Sequence, residues 1–141
     1  MEQNFKNHSR LVKGWHGLTF FTMLAMLIGS FVNLCNSSKE NMYSASLLCV
    51  TAFIFLLLFW FIRSFALKAQ DRAIRAEESL RYFILTGKAI DSRLNIRQII
   101  ALRFASDDEF VALCNKAADE NLSTKAIKQL IQHWKGDYYR V

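Results

Sequence analysis

LTFFTMLAMLIGSFVNL at Leu18–Leu34 and ASLLCVTAFIFLLLFWFI at Ala45–Ile62 decide the fold. Neither stretch carries a charged residue. The first is about 17 residues, or about 25 Å as a helix, and Trp15–Gly17 extend it to about 20, enough for a hydrocarbon core. The second is about 18 residues and ends at Trp60 and Arg63, the aromatic-plus-cation signature of a membrane–water boundary. Asn36-Ser37-Ser38-Lys39-Glu40-Asn41 between them is polar and short, so the two helices must be antiparallel neighbours. The predicted architecture is all-α: a transmembrane helical hairpin with a long juxtamembrane helix and a small cytosolic helical module. Its divisions are a cytosolic basic arm at 1–14, the hairpin at 15–65, and the juxtamembrane helix and module at 66–141.

Composition agrees with this division. A chain of 141 residues has room for one small domain beside its membrane segments. Twelve Phe and no Pro suit lipid contact and long uninterrupted helices. A net charge of +6 fits either nucleic acid or an anionic membrane surface, and the hairpin makes the membrane the simpler reading. Three scattered cysteines are too few for a disulfide scaffold. Cys35 and Cys49 fall toward the outer side, as a disulfide or as two small buried thiols.

A signal peptide competes for the first stretch, since Lys6, Arg10 and Lys13 precede an apolar run. Val32-Asn33-Leu34-Cys35 is a poor cleavage site, however, and Leu34 before Cys35 argues against a lipid-attachment cysteine. The stretch is therefore read as a retained span. Lys39 is the one basic residue of the link, whereas Arg63, Lys68, Arg72 and Arg75 follow the second span. The positive-inside rule then places both termini in the cytoplasm. Within the hairpin, Thr22, Ala25 and Gly29 form a small-residue stripe on the first helix, and Ala45, Cys49 and Ala52 form one on the second. Such stripes let helix backbones approach closely, and they are expected to face one another.

Ser64–Leu85 has no helix breaker and continues the second span as one long helix. Lys68, Arg72 and Arg75 share a face that, with Arg81, is expected to meet anionic headgroups or a partner. Asp71–Arg75 and Glu77–Arg81 are i, i+4 pairs. Ala69, Ala73, Ala76, Leu80 and Phe83 form a heptad seam, either for a second copy or for the following helices of the same chain. Gly87 is a natural left-handed helix stop.

Three short helices follow. Asn95 with Gln98 reads as a capping box with Leu94 and Ile99 as its hydrophobic staple, opening a helix over Ile96–Ala105. Ser106 with Glu109 reads as a second box, opening a helix to about Glu120. Ser123 caps a third, whose apolar face would be Ile127, Leu130, Ile131 and Trp134, ending at Gly136. The last two helices superficially resemble a helix-turn-helix, with Lys125, Lys128 and Lys135 available for phosphate. Asp107, Asp108, Glu109, Asp119 and Glu120 beside them would repel DNA, which disfavours nucleic acid as a partner.

No phosphate loop, dinucleotide turn or metal-ligand spacing is present in the sequence, so it implies no cofactor, no metal and no catalytic residues. His8, His16 and His133 are far apart, and no ionisable residue lies inside either span.

Several strings are distinctive: Glu2-Gln3-Asn4-Phe5-Lys6-Asn7-His8-Ser9-Arg10, Tyr43-Ser44-Ala45-Ser46-Leu47, the run Phe65-Ala66-Leu67-Lys68-Ala69-Gln70-Asp71-Arg72-Ala73-Ile74-Arg75-Ala76-Glu77-Glu78, Arg97-Gln98-Ile99-Ile100-Ala101-Leu102-Arg103-Phe104-Ala105, and Tyr138-Tyr139-Arg140-Val141. On these the chain resembles a family of small bacterial two-span membrane proteins, a domain of unknown function. The resemblance covers nearly the full length and implies a bacterial inner-membrane location; it implies no activity, cofactor or site residue. The expected function is that of a non-enzymatic inner-membrane interaction protein or accessory subunit. Its expected contacts are a bilayer with anionic headgroups and a protein partner or second copy. The alternatives are a small oligomeric channel or transporter component, or a membrane-tethered nucleic-acid-binding module.

Overall fold

The computed structural model describes residues 4–5 and 12–138. Most of the basic arm, including Lys6 and Arg10, and the tail residues Tyr139, Arg140 and Val141 lie outside them. The described chain is all-α. A π-helical turn at Gly14–Thr19 leads into α1 (Phe20–Cys35). Then come α2 (Met42–Thr86), α3 (Ile96–Leu102), α4 (Asp107–Asp119) and α5 (Thr124–Leu130). The helices group into two compact units, Leu11–Ala66 and Leu67–Val141, with α2 running through both.

The first unit is the hairpin. Trp15 stacks on Phe59 with ring centroids 4.4 Å apart, and Phe20 approaches the same ring at 6.3 Å. These contacts set the start of the first helix beside Phe59, near the end of the second apolar stretch, so the two apolar stretches are antiparallel. Hydroxyls along both helices donate to carbonyls of their own helix: Thr22 to Leu18 and Thr19, Ser30 to Leu27, Thr51 to Leu47. An apolar surrounding demands such local satisfaction, because an unpaired hydroxyl there costs a hydrogen bond. At the link, Asn36 Nδ2 donates to the Val32 carbonyl at 2.8 Å and Ser37 Oγ to that of Asn33 at 2.6 Å, tying off the end of α1. Gly14–Cys35 and Met42–Thr86 are both long and apolar enough to cross a membrane, and few of their most apolar residues are buried. Phe21, Ile28, Phe31, Val50, Phe53, Trp60 and Ile62 all point outward.

The inner face of α1 differs from the expected stripe. Thr22, Ala25 and Gly29 are exposed, and a Cβ added at Gly29 would meet nothing within 4 Å. Met23, Leu27, Ser30 and Leu34 turn inward instead, with Ser30 buried. On α2, Ala45 and Ala52 are buried and Cys49 is half-buried. Longer side chains of α1 thus match the small face of α2, filling space that two small faces would fill only at closer approach. Trp15, expected as an interfacial anchor, is held by its stack on Phe59.

In the second unit, Gly87 ends α2 at φ +69°, its N–H donating to the Phe83 carbonyl at 2.7 Å. The Asn95–Gln98 capping box forms as predicted, at 3.0 and 2.8 Å, with Leu94 and Ile99 both buried. Gln98 Nε2 also donates to the Leu122 carbonyl at 2.9 Å, joining the start of α3 to the turn before α5. Asn121, at φ 47°, closes α4, and the Leu122 N–H reaches back to the Ala117 carbonyl. Ser123 Oγ accepts from the Ala126 N–H at 3.2 Å. The core is Ile99, Leu102, Phe104, Phe110, Cys114 and Ile127, joined by Tyr82 from α2.

Three expected details differ. Helix α3 stops at Leu102, because Ala105 leaves to form a β-bridge with Trp134. Helix α5 stops at Leu130, with Ile131 already extended, so Trp134 reaches the core as bridge partner and lies 5.0 Å from the Phe104 ring. Ser106 caps α4 without a side-chain hydrogen bond, and the reciprocal half of the box is also absent: the Ser106 N–H donates to the His133 carbonyl at 3.1 Å, and the Glu109 carboxylate accepts from the Gln132 and His133 N–H groups, each at 3.0 Å.

Replacing Gly87 tests the left-handed stop. No atom lies within 4 Å of a Cβ there, so the cost of Gly87→Ala is backbone strain alone. It should lower stability by about 1 kcal/mol, and Gly87→Asn by less, read as shifts in thermal unfolding.

Candidate functional site

From Leu67 onward α2 carries two faces with different employment. The inward face runs Gln70, Ile74, Glu78 and Tyr82, at steps of four, with Arg81 beside it. Ile74, Glu78 and Tyr82 are buried. Arg81 is the main polar joint to the module. Its Nη1 donates to Glu78 Oε2 at 3.0 Å, its Nε to Asp107 Oδ1 at 2.7 Å, and its Nη2 to the Ala105 carbonyl at 2.8 Å. The guanidinium carbon also lies 4.1 Å from the Phe110 ring centroid. A planar five-donor fork serves several acceptors at once, which a lysine ammonium does not do in this geometry. Tyr82 adds a hydroxyl bond to Asn115 Oδ1 at 3.1 Å. The Arg81 side chain is 12 % exposed, so it is unavailable to headgroups; its expected grouping with Lys68, Arg72 and Arg75 is corrected. Its carboxylate partner on α2 is Glu78, not Glu77.

Behind this joint lies Cys114. Burial, reinforced by the negative charge of Glu78 and partly opposed by Arg81, pushes its thiol up to about 12. On the surface, Arg93 bridges Asp91 (2.7 Å) and Asp119 (2.8 Å), and its hydrogen bonds hold the Asp91 carboxyl below the usual range.

A cleft of about 470 Å³ lies between the same α2 face and the C-terminal segment. Gln70, Ile74, Glu77, Glu78, Arg103 and Asp137 line it, together with Ala73, Lys135, Gly136 and Tyr138. Arg103 Nε is 3.0 Å from Asp137 Oδ2, and its guanidinium lies over Phe104. Arg103 thus pairs with the C-terminal segment, while Glu78 is paired with Arg81. Among the described residues no group of three or more His, Cys, Asp or Glu could hold a metal ion.

The outward face is the other one. Ala69, Ala76, Leu80 and Phe83 point away from the module, with Leu80 59 % and Phe83 55 % exposed and Ile84 exposed beside them, while Ala73 is exposed at the edge of the cleft. The contacts of the module with α2 lie elsewhere on the helix, where Tyr82 meets Phe110 and Asn115 of α4 and Arg81 reaches Asp107 and the Ala105 carbonyl. Lys68, Arg72 and Arg75 are exposed along one flank and Glu77 along the other.

Sequence reading missed the module-binding face. Its signal was present as the four-step run from Gln70 to Tyr82, but two of those residues are polar, so the all-apolar seam drew the assignment. Glu78 and Arg81 become internal only because Asp107 and the Ala105 carbonyl come from a segment far along the chain.

Arg81→Met should lower the stability of the full chain by about 3 kcal/mol, because it strands a buried Glu78, and Arg81→Lys should recover only part of the loss; thermal unfolding followed by circular dichroism reads both. With Cys35 and Cys49 replaced by Ser, Cys114 should resist a thiol reagent at pH 8 while the chain is folded and react once it is unfolded.

The chain belongs to the family of unknown function DUF6526, whose pattern matches residues 1–141. No curated protein and no solved structure matches it.

Proposed function

We propose that this DUF6526 member is a non-enzymatic interaction protein, an accessory subunit anchored in a bacterial inner membrane with both termini cytoplasmic. The observation that carries the reading is the outward face of α2. Leu80, Phe83 and Ile84 are large, apolar and uncovered, on a stretch of helix that buries Ile74, Glu78 and Tyr82 elsewhere on its surface. Exposed apolar side chains grouped on one rigid helix mark an interaction surface, since water contact there is costly and a partner removes it.

Membrane anchoring is supported by the hairpin. Its large side chains point outward, its hydroxyls are satisfied within their own helices, and its two segments carry no charge. The excess of Lys and Arg after the second span supports the cytoplasmic placement of the module. Lys68, Arg72 and Arg75, exposed soon after Arg63 on the same helix, then meet anionic headgroups at about 1 kcal/mol per charge near the surface.

Leu80 and Phe83 contribute nothing to the core, so Phe83→Glu should leave the fold intact. Gently solubilised from its native membrane, the wild-type protein should run as an assembly larger than its monomer. Phe83→Glu should run smaller while remaining in the membrane fraction. Identical migration of the two would refute the docking role.

A further inference from the structure

We infer that the occupant of the outward face is a second copy of this chain, paired through α2 in parallel and in register. The inference rests on the membrane reading above, because two copies inserted alike present α2 in the same direction. Ala69, Ala73, Ala76, Leu80 and Phe83 recur at alternating steps of four and three, the spacing of a two-stranded seam. Numbered as heptads, Ala73 and Leu80 take position a, and Ala69, Ala76 and Phe83 take position d. The flanking g position is then Arg72, and the e position of the next heptad is Glu77. In a parallel pair those two positions meet across the interface, so Arg72 of each copy faces Glu77 of the other, twice by symmetry.

An antiparallel pair would set e against e and g against g, leaving both charges without an opposite. Both residues are exposed and neither forms an ion pair among the described residues. The module packs through Ile74, Glu78 and Tyr82, away from Ala69, Ala76, Leu80 and Phe83; its C-terminal segment reaches only the edge of the seam, where Ala73 and Glu77 line the cleft and stay exposed. Two heptads are short for a free coiled coil. Confinement of both copies to one membrane, already parallel, raises their effective concentration and removes much of the orientational cost.

Cysteine cross-linking in the full chain tests this, with Cys35 and Cys49 replaced by Ser and the buried Cys114 retained. Ala76→Cys and Leu80→Cys should each give a disulfide-linked dimer under mild oxidation in native membranes. Arg75→Cys, off the seam, should give little. Adding Arg72→Glu to Ala76→Cys should cut the yield severalfold, and the double exchange Arg72→Glu with Glu77→Arg should restore it. Absence of a dimer at 76 and 80, equal yield at 75, or no rescue by the double exchange overturns the inference. A cross-link from 76 to a different polypeptide also overturns it but leaves the docking role standing; unchanged assembly size in Phe83→Glu removes both.

Discussion

The Arg81 guanidinium is the joint on which the second unit depends. It draws together a carboxylate from its own helix, a carboxylate from the first turn of α4, and a main-chain carbonyl that the end of α3 leaves open. It does so against an aromatic ring, with little water contact. Burying such charges gains little over a well-packed apolar contact, but it admits very few alternative arrangements. The hydrophobic part of this junction, Tyr82 and Phe110 at 6.3 Å, could tolerate sliding by a turn; the three-acceptor fork could not. The module therefore takes a single register on α2. Because it is small, that matters: a core built around Phe104, Phe110 and Ile127 has little surplus, and Tyr82 is part of it.

One consequence is a division of labour around a single helix. In the second unit, α2 gives one side to its own module and leaves the other bare. In the hairpin it buries a narrow line of small residues and offers bulky ones outward. Within the second unit the two sides are tied together, since side-chain direction follows from residue number at 3.6 residues per turn. A rotation that covered Phe83 would expose Ile74 and Tyr82 instead.

Much of this was legible in the sequence, and the failures have a common cause. Charge-free runs, the polar link, the missing prolines and Gly87 are local signals, and the two apolar helices, the 45-residue α2 and its stop follow from them. Asn95–Gln98 was equally local and formed as read. Ser106–Glu109 carried the same pattern, yet Glu109 took its partners from Gln132 and His133, more than twenty residues along the chain. Trp134 kept the periodicity of a helical face and became a bridge residue for the same reason. Thr22, Ala25 and Gly29 were chosen because small residues permit close packing, but permission is not preference, and the Trp15–Phe59 stack and the small face of α2 favoured another side of α1. The outward seam was read with two possible uses, a second copy or the following helices; Leu80 and Phe83 are exposed, and side-chain joints to the module come from Arg81 and Tyr82 instead.

The bridge between Ala105 and Trp134 has an implication for the order of events during synthesis. Helices α3 and α4 emerge from the ribosome before the segment that closes over them. Glu109, the Phe104 carbonyl and the Ala105 backbone must all wait for residues 132–135. The sequence of both apolar helices is complete well before that, so they precede closure of the module as the chain grows from its N-terminus. During the interval Phe104 and Phe110 lack part of their cover, and the growing chain is most vulnerable to protease and to aggregation. In the proposed membrane setting, tethering to a bilayer limits that hazard, since a half-built module held at a surface meets far fewer of its own kind than one free in solution.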